Sequence, residues 1–175
     1  MTGPVFTIGH STRTVEEVVA MLRANAVTDL VDVRSFPGSR KHPQWGQEAL
    51  IAALPDDLTY RWLPALGGRR YTPVGVPTPN DGWRVKAFRD YADYMASDEF
   101  AAGLAELEEL AARCRPAIMC SEAVPWRCHR RLITDALLRD GIPVNHIMSA
   151  TATKAATMTP FAKTDQAGRL IYPAD

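Results

Sequence analysis

The stretch VFTIGHSTRTVEEVVAMLRANAVTDLVDV, residues 5–33, decides the fold. It opens on a short β-rich run, 5–9, that ends in glycine. Thr14 and Glu17 then stand at capping-box spacing, where hydroxyl and carboxylate each serve free amides of a first helical turn. Val15, Val18, Val19 and Leu22 follow at i, i+3, i+4 and i+7, the apolar stripe of a helix lying on a sheet. Residues 30–33, LVDV, make a second strand. Strand, helix, strand in that order predicts two parallel strands joined by a right-handed crossover.

The same alternation continues toward the carboxyl terminus. Residues 34–46 are rich in Pro, Gly, Ser and basic side chains and read as a loop, followed by a short helix near 47–54 and a strand over 59–62. Residues 64–83 hold four prolines and four glycines, an irregular segment of the kind that is functional or mobile when it occurs inside a compact domain. Phe88, Tyr91, Ala92 and Met95 have helical spacing, and Ser97 caps a further helix carrying Phe100, Leu104, Leu107 and Ala111. Residues 117–120 form a buried strand, 126–139 a helix closed by Gly141, and 144–147 another strand. Residues 149–164 read as a linker or weak helix, and 169–172 as an added edge strand. The expectation is an α/β, three-layer domain with a mainly parallel sheet of about five strands and helices on both faces. Residues 1–148 carry it, and 149–175 form a carboxyl-terminal extension packed on the same domain.

Composition narrows the function classes. Twenty Lys and Arg balance twenty Asp and Glu over 175 residues, which argues against a duplex-DNA coat or a polybasic membrane anchor. No stretch approaches the ~18–20 apolar residues that span a bilayer, and the first residues lack a charged-then-apolar leader. Cys114, Cys120 and Cys128 make neither a disulfide framework nor a C-x-x-C pair nor a zinc spacing. A reducing cytoplasm suits them, with no metal and no cofactor expected. Oligomeric state is left open.

In open parallel sheets, ligands bind beyond the carboxyl ends of strands, beside helix amino termini. Three such ends carry polar groups here: His10 and Ser11, then Asp32 and Arg34, then Cys120 and Glu122. The segment Trp126, Cys128, His129, Arg130 leads into the helix that follows. His10 and Glu122 are the acid–base candidates, with Ser11 orienting. Arg34 and Arg130 have the forked donors that suit a phosphate or carboxylate, unless Arg34 is simply paired with Asp32. Cys120, at a strand end near arginines, is either an activated thiol or a small core residue. Cys128 lies one turn before Leu132 and reads as packing. Trp45, Trp83 and Trp126 fall in loops, either to stack a planar ring or to clamp those loops down.

The phrases TIGHS (7–11), DVRSFPGS (32–39), LPALGG (63–68), FRDYADYM (88–95) and CSE…CHRR (120–131) resemble the bacterial family called domain of unknown function 488. The closing PF…GRLIYP fits as well. The resemblance implies a compact α/β fold with a shared polar site at the GHS, DVR, CSE and CHR positions, and supplies no reaction. A weaker similarity is to rhodanese-like sulfurtransferases and cysteine phosphatases, which also carry a DVR and a later strand-end cysteine. Here six residues separate Cys120 from Arg127 where the phosphatase pattern has five, and 121–126 lack the usual rhodanese glycine.

Together these readings point to a small enzyme, or a binding protein with an enzyme-like pocket, for an anionic, phosphate-bearing ligand such as a nucleotide. The rivals are thiol chemistry through Cys120, as sulfur transfer or phosphoester cleavage, and a non-catalytic interaction module using the loops of 64–83.

Overall fold

Two buried clusters divide the side chains of each central strand by alternation. Phe6 and Ile8 face one side of the sheet with Ala117 and Met119, whereas Val5, Ile118 and Cys120 face the other. A strand that is buried on both faces must lie inside a sheet covered on both sides. The computed structural model, which describes residues 2–175, has that arrangement.

The strands are β1 (Val5–Gly9), β2 (Asp29–Asp32), β3 (Thr59–Trp62), β4 (Pro116–Cys120) and β5 (Val144–Ile147), all parallel, with β6 (Thr153–Ala155) antiparallel at the edge. The order across the sheet is β3-β2-β4-β1-β5-β6. Helices α1 (Val15–Ala24) and α2 (Gln47–Ala53) cover one face. Helices α3 (Lys86–Tyr94), α4 (Asp98–Arg113) and α5 (Arg130–Arg139) cover the other. The chain is therefore a three-layer α/β domain with a mainly parallel sheet.

Local rules hold at the helix starts. The Thr14 hydroxyl accepts the Glu17 amide at 3.1 Å, and Ser97 does the same for Phe100 at 3.2 Å. The interior of α1 buries Val15, Val18, Val19 and Leu22, the stripe read from their spacing.

Three features differ from the sequence reading. Residues 149–164 contain no helix but supply β6 and then β7 (Lys163–Thr164). The strand β8 (Leu170–Ile171) pairs with β7 in a separate two-stranded sheet rather than extending the main one. The last helix starts at Arg130, not near 126, because Pro125–Arg127 form a 3-10 turn and Cys128 is extended. Proline at the head of that turn fixes its φ and favours a tight, separate turn. No described helix is long and apolar enough to cross a membrane.

The strand order matters most for function. Although β1 and β2 are consecutive, β4 lies between them, with Gly9 opposite Cys120 and Asp32 opposite Met119. The backbone prolongs this register past the strands: His10 N–H reaches the Cys120 carbonyl at 3.0 Å, and Val33 N–H the Met119 carbonyl at 3.0 Å. The three polar strand ends are thereby brought to one rim.

Candidate functional site

That rim borders a cleft of about 470 Å³ lined by His10, Arg34, Cys120, Glu122, Cys128 and His129, together with loop residues that include Lys41 and Arg69. Six residues singled out from sequence thus share one cavity. Ser11, Asp32 and Arg130 stand behind its wall, and Trp126 lies elsewhere.

The floor is made of sulfur. Cys120 Sγ and Cys128 Sγ are 2.9 Å apart, one at the end of β4 and the other just before α5. The Arg130 backbone N–H donates to Cys128 Sγ at 3.2 Å, and its Nε lies 3.0 Å from Cys120 Sγ and 3.3 Å from Cys128 Sγ. Arg130 is only 1% exposed. Its remaining donors go to Thr7 Oγ1 at 3.0 Å and to the Glu122 carbonyl. Among the described residues, no carboxylate lies within salt-bridge distance of this guanidinium. A buried cation needs a counter-charge. The sulfurs are the groups placed to supply it. Burial works against ionisation of both, but the two thiols end on opposite sides. Burial pushes Cys120 up, and Cys128 beside it pushes it further. Cys128 is held well below the ordinary thiol range, because the hydrogen bond from Cys120, His129 and the Arg130 charge together outweigh its burial. These opposed directions make Cys128 the more acidic of the two thiols.

Two histidines flank the sulfurs. His129 Nε2–H donates to the Val33 carbonyl at 2.8 Å, and its Nδ1 lies 3.9 Å from Cys128 Sγ. His10 Nδ1–H donates to the Ser11 carbonyl at 2.9 Å, leaving Nε2 as its acceptor. The His10 ring stacks on buried Trp45, centroids 4.6 Å apart. Burial, aided by nearby Arg34, lowers its pKa to about 4. It is a neutral imidazole at neutral pH.

Arg34 is paired with Asp32, as the simplest sequence reading had it. Nε and Nη2 take the two carboxylate oxygens at 2.9 and 2.7 Å, and Nη1 donates to the Trp45 carbonyl at 2.8 Å. This clamp ties the loop after β2 to the sheet. At the mouth of the cleft Arg69 and Lys41 are exposed, Arg69 lying over the Phe36 ring. The Glu122 carboxylate is exposed and accepts the Val124 amide at 3.2 Å.

The glycines of the quoted phrases have steric reasons. A Cβ on Gly9 would lie 1.9 Å from the Glu122 carbonyl oxygen, and one on Gly68 would lie 2.6 Å from His129 Nδ1. Only glycine lets these backbones pass so close. Tyr91 and Tyr94 donate to the carbonyls of Leu66 and Ala65, so the FRDYADYM helix fastens the LPALGG loop.

Sequence reasoning missed Thr7. Its hydroxyl accepts from Arg130 and is hydrogen-bonded to His146 Nδ1 at 2.7 Å. A threonine in the middle of a fully buried strand was the available signal. Cys128 was read as packing on a helical stripe; it precedes the helix, and its sulfur receives the first amide of α5. Trp45 and Trp83 are buried, Trp83 among Phe88, Phe161 and Tyr172, and clamp their loops. Trp126 is 44% exposed in a separate groove beneath Lys154. A roomier hollow, about 660 Å³, lies between α4 and the β7–β8 hairpin and contains none of the strand-end groups. No three His, Cys, Asp or Glu side chains among the described residues are grouped to hold a metal.

The family model described as "Domain of unknown function DUF488" matches residues 14–137. No curated protein and no solved structure matches the chain.

Proposed function

The chain belongs to the DUF488 family, and on that premise we propose that it is a thiol-dependent enzyme acting on a small anionic substrate at the carboxyl ends of its parallel strands. One observation carries this reading. Cys128 lines the cleft, and its Sγ accepts from the Arg130 amide and side chain and lies 2.9 Å from Cys120 Sγ, beside a buried cation with no carboxylate. A thiolate stabilised by a helix amino terminus and a guanidinium is the activated form of cysteine.

In this reading Cys128, not Cys120, is the nucleophile. Cys120 is the donor of the pair, and burial keeps it protonated. Arg130 is the counter-ion rather than a ligand clamp, since it is 1% exposed and each of its three nitrogens already has a protein partner. Anion capture falls to Arg69 and Lys41 at the mouth, backed by the Asp32-paired Arg34. Lys41 and Arg69 against the single carboxylate of Glu122 favour a negatively charged substrate, phosphate-bearing or nucleotide-like molecules included. His10, neutral and with Nε2 as acceptor, acts as the base, its tautomer fixed by the Ser11 carbonyl. Glu122 at the rim is the second polar group within the substrate's reach. Such chemistry suits a reducing compartment such as the cytoplasm.

Competitive alkylation tests it. At pH 7 Cys128 reacts with iodoacetamide faster than Cys114 or Cys120. The rate ratio of iodoacetate to iodoacetamide at Cys128 exceeds that of free cysteine, and Lys41→Glu with Arg69→Glu reverses the excess. If Cys128 in the folded protein reacts no faster than an ordinary thiol, the reading is wrong.

A further inference from the structure

We infer that Cys120 and Cys128 form a dithiol–disulfide couple, and that the substrate of the cleft is a sulfur electrophile, an anionic low-molecular-weight disulfide. This deepens, and rests on, the reading of Cys128 as nucleophile.

The geometry favours sulfur over phosphorus as the attacked atom. The donors around Cys128, namely the Arg130 amide, Arg130 Nε and the Cys120 thiol, are aimed at the sulfur itself. A phosphoryl group on that sulfur needs amides aimed at its equatorial oxygens instead. A second thiol in contact with the nucleophile has no task in phosphoester cleavage. It has a defined task in thiol–disulfide exchange, where it attacks the first sulfur. The Sγ–Sγ separation of 2.9 Å must close to ~2.05 Å to make the bond. That requires the two sulfurs to approach by under ~1 Å.

Arg130 serves both halves of the exchange. Its Nε touches Cys120 Sγ at 3.0 Å and Cys128 Sγ at 3.3 Å, so the same charge steadies whichever sulfur is ionised. Thr7 and the Glu122 carbonyl hold the guanidinium in place throughout. Cys114 stands at the end of α4, beside the opposite end of β4, and takes no part.

The steps balance as follows. Cys128–S⁻ attacks one sulfur of R–S–S–R′, the S–S bond breaks, and R′–S⁻ leaves. Cys120 gives its proton to the departing R′–S⁻, and its sulfur attacks Cys128 Sγ. R–S⁻ leaves, and a Cys120–Cys128 disulfide remains. Two electrons have passed from the protein sulfurs to the substrate. Oxidation removes the thiolate that neutralises buried Arg130, so the reduced pair is the favoured state and a low-molecular-weight thiol reopens the disulfide readily.

The test uses the reduced full-length protein, oxidised glutathione as probe, exclusion of oxygen, acid quenching and intact-mass with peptide analysis. The wild type, and Cys114→Ser alike, become lighter by the two thiol hydrogens and yield a Cys120–Cys128 linked peptide. Cys120→Ser, checked against Cys120→Ala and by thermal melting, stops with glutathione attached to Cys128. Cys128→Ser forms neither product. Accumulation of the glutathione adduct in the wild type without the internal link overturns the inference, as does release of that adduct at wild-type rate in Cys120→Ser. Fast alkylation of Cys128 by iodoacetamide without an internal disulfide leaves the nucleophile standing and removes only the couple. Absence of both reactions removes both.

Discussion

Replacing Arg130 with methionine isolates the interaction on which the sulfur site depends. Methionine fills similar volume but removes the charge, both sulfur contacts and the bonds to Thr7 and the Glu122 carbonyl. An orphaned buried ion costs ~3–5 kcal/mol, and Cys128 escapes that cost by taking up a proton. Losing that interaction raises the Cys128 pKa toward the ordinary thiol range. The Glu122 carbonyl, left without its partner, adds ~1–3 kcal/mol of destabilisation. At ~2–4 °C per kcal/mol for a domain of this size, the melting temperature falls by at least several degrees. The pH dependence separates charge from packing. In the wild type the folded pKa of Cys128 lies below its unfolded value. Its contribution is therefore fully present above the unfolded pKa of ~8.5 and is lost as pH falls through the folded one. The stability gap between wild type and Arg130→Met accordingly widens from acid to alkaline pH. Denaturant titrations under reducing conditions, paired with thiolate absorbance, measure both quantities. A gap that is flat with pH, or a thiolate pKa unchanged in the folded variant, refutes the assignment of charge to Cys128. Arg130→Lys keeps the charge without the fork and is expected to fall between the two.

Two further outcomes follow from the surroundings. Gly68→Ala drives a methyl group into the His129 ring. It is expected to cost ~1–3 kcal/mol and to slow Cys128 alkylation as His129 turns away from the Val33 carbonyl; an unaffected alkylation rate would mean that His129 does not act on Cys128. Burial also lowers His10 and His146 to about 4 each, helped at His146 by the Arg130 charge. The unfolded chain takes up these protons first, near 6.5, so stability is lost as pH falls from about 6.5 to 4, by ~2 kcal/mol per imidazole at pH 5. Melting temperatures across that range, with His146→Gln removing its share, check the sign. No decline between pH 7 and 5 contradicts it.

Much of the molecule was readable before any coordinates. The β-rich run of β1, the apolar run of β4, the stripe of α1 and the caps at Thr14 and Ser97 are local properties, set by side-chain spacing and backbone hydrogen-bonding needs within one segment. The rule that ligands gather at strand ends then located His10, Arg34, Cys120 and Glu122, which share the cleft. Cys128 is buried in the core, as its spacing implied, but by another route: the Pro125 turn delays the helix, and the sulfur meets Cys120. Arg130 was given to the ligand because arginine suits anions, and nothing local reveals that its fork is used internally.

The amino-acid order alone determined the layered parallel sheet, since apolar periodicity and helix caps act over a handful of neighbouring residues. Tertiary structure decided which charges are free and which are spent. Insertion of β4 between β1 and β2 places Thr7, Cys120, Glu122 and Cys128 around one guanidinium. Protonation in such a site follows from burial and from partners distant in the chain, and neither quantity is written in any single segment.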